Sequence, residues 1–287
     1  MNRLFLLLLT LWAIPVAFAQ SWLPWPLSCM DKSKEVEKSL ILASFKCSVK
    51  TVDNCSYKEC TGSLPSYPKP VLVIIPAMAE SLRLHFHGHK LGKFPEYEKD
   101  LSSMVKSFGI AGELCKSSEV TVFPESDGSC STFDTKLKTK DNFDLFLKEL
   151  HSATGQNLKQ DPLNISAHSG GGRTVSRFLD AGFSVNQVTI FDGTYSEPQK
   201  NSLKNWYQKN EGKLILATVK GMDPDAFANK LKTELGVKMT PSQSTIKGTT
   251  FDVSTSGRLI HFSRSAGPVG SLQAHYDVLT QTWPASN

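Results

Sequence analysis

A chain of 287 residues, 40% of them hydrophobic and 21% charged, can bury a sizeable core and is too apolar to be a disordered polypeptide. Its formal net charge of +5 arises from 32 basic and 27 acidic residues scattered along the sequence. The densest basic patch, Lys136, Lys138 and Lys140, reads as a solvated loop and argues against a nucleic-acid-binding protein.

Residues 1–19 have the layout of a secretory signal peptide. Arg3 supplies the positive end, residues 4–12 the apolar core, and Ala17-Phe18-Ala19 the small-x-small cleavage site. No later apolar run approaches ~20 residues, so the mature chain is expected to lack a membrane span and to be secreted or periplasmic. Six cysteines, Cys29, Cys47, Cys55, Cys60, Cys115 and Cys130, then read as three disulfides, because their spacings lack the paired C-x-x-C of a zinc site. A pairing of Cys115 with Cys130 would bracket the strand between them, and the other four would staple the N-terminal region.

Strands are expected over 40–53 and 58–64, after which Pro65, Pro68 and Pro70 break the chain. Residues 20–70 form, on this reading, an N-terminal extension that packs on the core, and residues 71–287 form the main domain. There the predicted order is strand 71–75, strand 81–86, helix 97–108, strand 120–124, helix 143–150, and a half-apolar strand running into Ser169. Helix from Arg173, strand 187–191, helix 202–208, strand 213–219, helix 225–235, strand 258–262 and helix 272–283 follow. Such alternation with short connections predicts an α/β fold, with a mostly parallel central sheet covered by helices on both faces. Ligands of such sheets collect at the carboxyl ends of the strands.

The segment 162–172 organises the chemistry. A strand ends in Ser169, glycines follow, and a helix begins, which is the layout of a nucleophile elbow. Ala167 and Gly171, two positions either side of the serine, are small, as a tight strand-to-helix turn requires. A serine needs a base, and the base needs an acid to hold its tautomer. Asp192, at the end of the next strand, is the candidate acid; Asp223 and Asp225, the reserves, open a helix and read as its caps. His275, beyond the last strand, is the candidate base; His261, inside an apolar strand, reads as a core histidine, and His168 as packing beside the elbow. The backbone N–H groups of Gly170 and His89 are the candidate oxyanion donors.

A rival chemistry comes from His85, His87 and His89, whose alternation would put three imidazoles on one strand face for a metal-dependent hydrolase. No neighbouring acidic ligand and no H-E-x-x-H accompanies them. A third reading is a non-catalytic binding protein on the same scaffold. Tyr195, Trp206 and Tyr207, between Asp192 and Lys213, could wall a lid, although ordinary helix packing accounts for them more simply.

The elbow Ala167-His168-Ser169-Gly170-Gly171, the loop Phe86-His87-Gly88-His89 and the chain order Ser169, Asp192, His275 resemble the α/β-hydrolase superfamily over roughly residues 71–283. The resemblance implies a cofactor-independent serine hydrolase, esterase- or lipase-like or else an amidase or peptidase, acting on a small-molecule or cell-envelope ester or amide. Ala167 stands where glycine is commoner in that superfamily, and the acid falls one strand earlier than in many members.

Overall fold

Strand 71–75 is apolar at every position, and that pattern is stable only if both faces of the strand are covered. A computed structural model describes residues 45–88, 101–126, 133, 137, 139–158, 161, 163–265 and 271–281. All of these lie in one unit, Glu37–Asn287. The expected signal segment, residues 1–19, and Cys29, Cys130, His89, Lys136 and Lys138 fall outside the described residues.

Eleven strands form one sheet: β1 (Lys46–Val52), β2 (Cys55–Leu64), β3 (Tyr67–Pro76), β4 (Ser81–Phe86), β5 (Glu119–Pro124), β6 (Leu163–His168), β7 (Gln187–Phe191), β8 (Lys213–Val219), β9 (Thr240–Ile246), β10 (Thr249–Ser256) and β11 (Leu259–Arg264). Their order across the sheet is β1-β2-β3-β5-β4-β6-β7-β8-β11-β10-β9. The helices are α1 (Leu101–Ser107), α2 (Ile110–Leu114), α3 (Lys140–Thr154), α4 (Gly172–Asp180), α5 (Glu197–Lys209), α6 (Asp223–Glu234) and α7 (Ser271–Gln281).

The sheet is mixed, which corrects the expectation of a mostly parallel one. The central run β5-β4-β6-β7-β8-β11 is parallel, but antiparallel hairpins extend it at both edges. At one edge, β1 and β2 turn through Asp53 and Asn54, both at positive φ, as a two-residue hairpin requires. At the other, β9 and β10 turn through Lys247 and Gly248 with the same geometry. The strand β9 is almost wholly polar and exposed, so no apolar alternation marked it in the sequence. Pro68 and Pro70 do not end a strand. They lie inside β3, between Tyr67 and Val71, where the register with β2 shifts and a missing N–H breaks no paired bond.

Helices cover both faces. Val71, Val73 and Ile75 of β3 pack in the core that includes Phe143 and Phe146 of α3, Phe178 of α4, Trp206 of α5 and Leu231 of α6. Leu72 and Ile74 face the second core, with Met104 of α1, Leu114 of α2, and Tyr276 and Leu279 of α7. That second face also carries the polar residues that made β6 look unusual. The Arg83 guanidinium donates through Nε to Glu119 at 2.6 Å and through Nη2 at 3.3 Å, and Asn164 Nδ2 donates to the same carboxylate. Ser166 Oγ lies 2.9 Å from His85 Nδ1. These pairings are what make the burial of such polar groups tolerable, although Arg83 Nη1 and Asn164 Oδ1 are left without a partner among the described residues.

Two disulfides are described. Cys47–Cys60 crosses the β1–β2 hairpin between directly opposed residues. Cys55–Cys115 ties the start of β2 to the end of α2 and overturns the expected pairing of Cys115 with Cys130. The reason is local packing: α2 lies on the hairpin turn, and a side chain at Gly112 would sit 3.7 Å from Val52 and Asp53. Among the described residues no helix is long and apolar enough to cross a membrane.

Loop closure ranks the two bridges. The separations are 60 residues for Cys55–Cys115 and 13 for Cys47–Cys60. Chain entropy then gives about 4 and about 3 kcal/mol respectively. The double variant Cys55→Ala/Cys115→Ala should therefore unfold at lower urea than Cys47→Ala/Cys60→Ala; the opposite order of midpoints would contradict this ranking.

Candidate active site

The strand β6 ends at His168, and Ser169–Gly171 form one turn of tighter helix that runs directly into α4. Ser169 itself has φ 48° and is half-buried, while its neighbours His168 and Gly170 are buried. A non-glycine residue held at positive φ is strained by its Cβ, and such strain persists only where packing enforces it.

The packing that enforces it comes from two neighbouring strand ends. A Cβ on Gly171 would fall 2.4 Å from the carbonyl oxygen of Phe86, the last residue of β4. A Cβ on Gly172 would fall 2.0 Å from the carbonyl oxygen of Gly193, just past β7. The sequence explains the small residues by closure of the elbow's own strand and helix. For Gly171 and Gly172, the close approach is instead to the adjacent strands.

Asp192 follows β7 and is also a non-glycine residue at positive φ, 40°. Its N–H donates to Ala217 O at 2.9 Å, and its Oδ1 accepts the Val219 N–H at 3.0 Å. The next residue, Gly193, packs so that a Cβ there would lie 3.0 Å from Ser169 O. Five described non-glycine residues have positive φ; Asp53, Asn54 and Lys247 make hairpin turns, and the other two are Ser169 and Asp192. The two candidate catalytic residues thus occupy the strained ends of adjacent parallel strands, in contact through the backbone.

His275 lies on α7, next to Tyr276. The Tyr276 ring sits 6.5 Å from the His168 ring and 5.6 Å from that of His85, centroid to centroid, so α7 passes directly under the elbow strand. Gly170 is the first residue after the serine, and as part of the opening helical turn its N–H has no intrahelical acceptor. His89 is outside the described residues; the chain leading to it, His87-Gly88, runs past the elbow, where a Cβ on Gly88 would strike the His168 ring. His168 therefore packs beside the elbow, as expected.

The remaining histidines are held by protein partners. His87 Nδ1 donates to Gly88 O at 2.7 Å, and its Nε2 accepts the Ser126 N–H at 3.0 Å, which fixes one neutral tautomer. Burial pushes His87 down to about 4. His85 is fully buried, with Nδ1 on Ser166 and Nε2 3.5 Å from Tyr276 OH. Burial, then the neighbouring His168, His87 and Arg83, hold it well below the ordinary imidazole range. Metal binding by His85 and His87 would require both to surrender these bonds, and among the described residues no three His, Cys, Asp or Glu side chains are grouped to hold an ion.

His261 is the core histidine that the sequence suggests. Lys232 Nζ donates to its Nδ1 at 3.0 Å, so its Nε2–H donates to Thr218 Oγ1 at 2.7 Å. Thr218 in turn donates to Asp225 Oδ1 at 2.8 Å, and Ser263 Oγ donates to the same oxygen at 2.9 Å. Asp225 is therefore no helix cap: its carboxylate turns inward to collect hydroxyls from β8 and β11. Burial and the Lys232 charge lower His261 to about 4, against the opposing pull of Asp225 and Asp192. Trp206 and Tyr207 are buried on α5, and the Arg258 guanidinium stacks 3.8 Å from the Tyr207 ring centre. They are packing residues rather than a lid.

The sequence matches no family model and no curated protein. Among solved structures, it is similar to a cold-adapted esterase from an Arctic intertidal metagenomic library at 10% identity, with 84% of this chain and 99% of that one covered and a TM-score of 0.47. A glucuronoyl esterase from Solibacter usitatus aligns at 10% identity over 84% and 86% of the two chains, with a TM-score of 0.42. A dienelactone hydrolase from Anabaena variabilis aligns at 15% identity over 83% and 96%, with a TM-score of 0.41. By its own topology, a parallel core with a serine elbow after β6, the chain has an α/β-hydrolase-like architecture.

Two predictions follow from this packing and titration. Gly171→Ala should destabilise the fold by about 1–3 kcal/mol, because its methyl meets backbone that cannot rotate away; an unchanged melting temperature would show that the strand ends can part. His87 stays neutral in the native state down to about 4, whereas the unfolded chain protonates it near 6.5. The unfolded state therefore binds more protons between these values, and stability falls as pH drops from about 6.5 to 4. For His87 the loss is on the order of 3 kcal/mol, and His261 adds in the same sense. His87→Gln should flatten this slope in pH-dependent urea titrations; an identical slope would remove His87 from the account.

Proposed function

We propose that the protein is an exported serine hydrolase that cleaves an ester through an acyl-enzyme on Ser169. The observation that carries this reading is the pairing of two strained, half-buried residues, Ser169 and Asp192, at the carboxyl ends of neighbouring parallel strands. Nothing in hairpin or helix geometry requires a serine or an aspartate at those angles, and a nucleophile elbow does.

In the proposed mechanism, His275 takes the proton of Ser169 Oγ as it attacks the ester carbonyl, and Asp192 holds the imidazole in the required tautomer. The Gly170 N–H, with that of His89, stabilises the tetrahedral oxyanion. His275 then protonates the leaving alcohol, and water attacks the acyl-enzyme by the same route in reverse, returning the proton to Ser169. Every step is proton transfer and acyl transfer between oxygen atoms, so no cofactor enters. Small-molecule or cell-envelope esters are the proposed substrates, with amides as slower ones. The signal segment at 1–19 and the disulfides support export to a secreted or periplasmic location, with 20–70 as an extension and 71–287 as the catalytic domain.

A fluorophosphonate probe should label the wild type and not Ser169→Ala. Asp192→Asn and His275→Gln should each lower kcat/KM for an activated ester on the order of 10³-fold or more. Hydrolysis that survives Ser169→Ala but disappears with a chelator would replace this reading with a metal-dependent one. Absence of both labelling and turnover would leave a binding protein.

A further inference from the structure

Arg264 is the last residue of β11, at the carboxyl edge of the sheet, where Ser169 and Asp192 also lie. The residue is 7% exposed, yet only Nη1 of its side chain has a protein partner, the carbonyl oxygen of Ser265 at 3.3 Å. Nε and Nη2 reach no acceptor. No described carboxylate lies within ion-pair distance, and Asp252, which lines the same cleft, is engaged by Lys220.

The identity of the two idle donors is informative. Nε and Nη2 form the side-on edge of a guanidinium, the parallel pair that meets both oxygens of one carboxylate. The same chain shows that geometry satisfied: Arg83 uses Nε and Nη2 on the two oxygens of Glu119. At Arg264 the same edge is buried and has no described carboxylate. The residue lines a cleft of about 680 Å³ together with Lys220, Gln243, Thr249, Thr250 and Ala274 of α7. The Lys220 N–H donates to Arg264 O at 2.8 Å, and the preceding residue, Val219, donates to Asp192 Oδ1 at 3.0 Å. Three strand spacings separate the end of β11 from that of β6, about 14 Å along the sheet edge.

We propose that Arg264 binds the free carboxylate of the substrate, so that the hydrolase prefers esters whose acyl chain ends in a second, ionised acid. This rests on the serine-hydrolase reading for its catalytic consequence, whereas the binding of a carboxylate at Arg264 does not. A neutral acyl chain leaves the guanidinium edge idle; an anionic one supplies the charge and both acceptors that it lacks.

The test uses p-nitrophenyl monoesters of succinic, adipic and suberic acid beside their methyl-capped, uncharged counterparts. The wild type should favour the best-fitting acid over its capped form by about ten- to a hundredfold in kcat/KM. Arg264→Gln should abolish that preference through KM, leaving the capped ester and fluorophosphonate labelling unchanged. Arg264→Lys, which keeps the charge without the fork, should retain part of it. Equal use of acidic and capped esters by the wild type, or a preference that survives Arg264→Gln, overturns the proposal. Should the wild type not label at all, the hydrolase reading fails by itself, and calorimetry with suberate decides the site separately. Binding to the wild type that is lost in Arg264→Gln sustains it, and no binding to the wild type ends it.

Discussion

The geometry of this protein depends on a backbone contact that leaves no room for side chains. The turn after β6 is clamped between the end of β4 and the second residue past β7, with Phe86 O on one side and Gly193 O on the other. Because interiors are close-packed and yield little, the clamp holds Ser169 at an angle that it would not otherwise adopt. The same contact sets Asp192, since the turn that carries it supplies one jaw. Position and strain at the candidate site therefore have a single origin, and it lies in the sheet rather than in the loops.

A second consequence follows from what lies beneath that turn. The face of the sheet covered by α1, α2 and α7 carries Arg83, Glu119 and Asn164 in one layer and His85 and Ser166 in the next. Side-chain hydrogen bonds tie Arg83 and Asn164 to Glu119 in one layer and His85 to Ser166 in the next, and burial keeps His85 and His87 uncharged. These histidines spend their ring nitrogens on protein hydrogen bonds beside the elbow. A positive charge introduced there by acid would have no water and no free carboxylate to meet.

Much of this was legible in the sequence. The strands 81–86, 187–191 and 213–219 were marked by their apolar runs, and the elbow by a serine between a strand pattern and a glycine-opened helix. What escaped had physical reasons. The strand β9 is polar along nearly its whole length and turns into β10 through Lys247-Gly248, so neither apolar alternation in β9 nor a familiar turn pair announced the hairpin. The antiparallel edge formed by β1 to β3 was masked by Pro68 and Pro70, which a strand tolerates where its N–H has no partner. The Cys55–Cys115 bridge depends on where α2 packs, a tertiary fact that cysteine spacing does not carry. Arg264 carries no signal in the sequence, and only its burial and idle donors distinguish it.

The central claim is that a hydroxyl held by this clamp attacks the substrate and carries its acyl group. Rapid mixing with an activated ester, acid quench within the first turnover, and peptide mass spectrometry test it most directly. The account predicts a burst of alcohol release matched by one acyl group on the peptide that contains Ser169. Turnover without any trapped acyl group, or with the group on another residue, would contradict it.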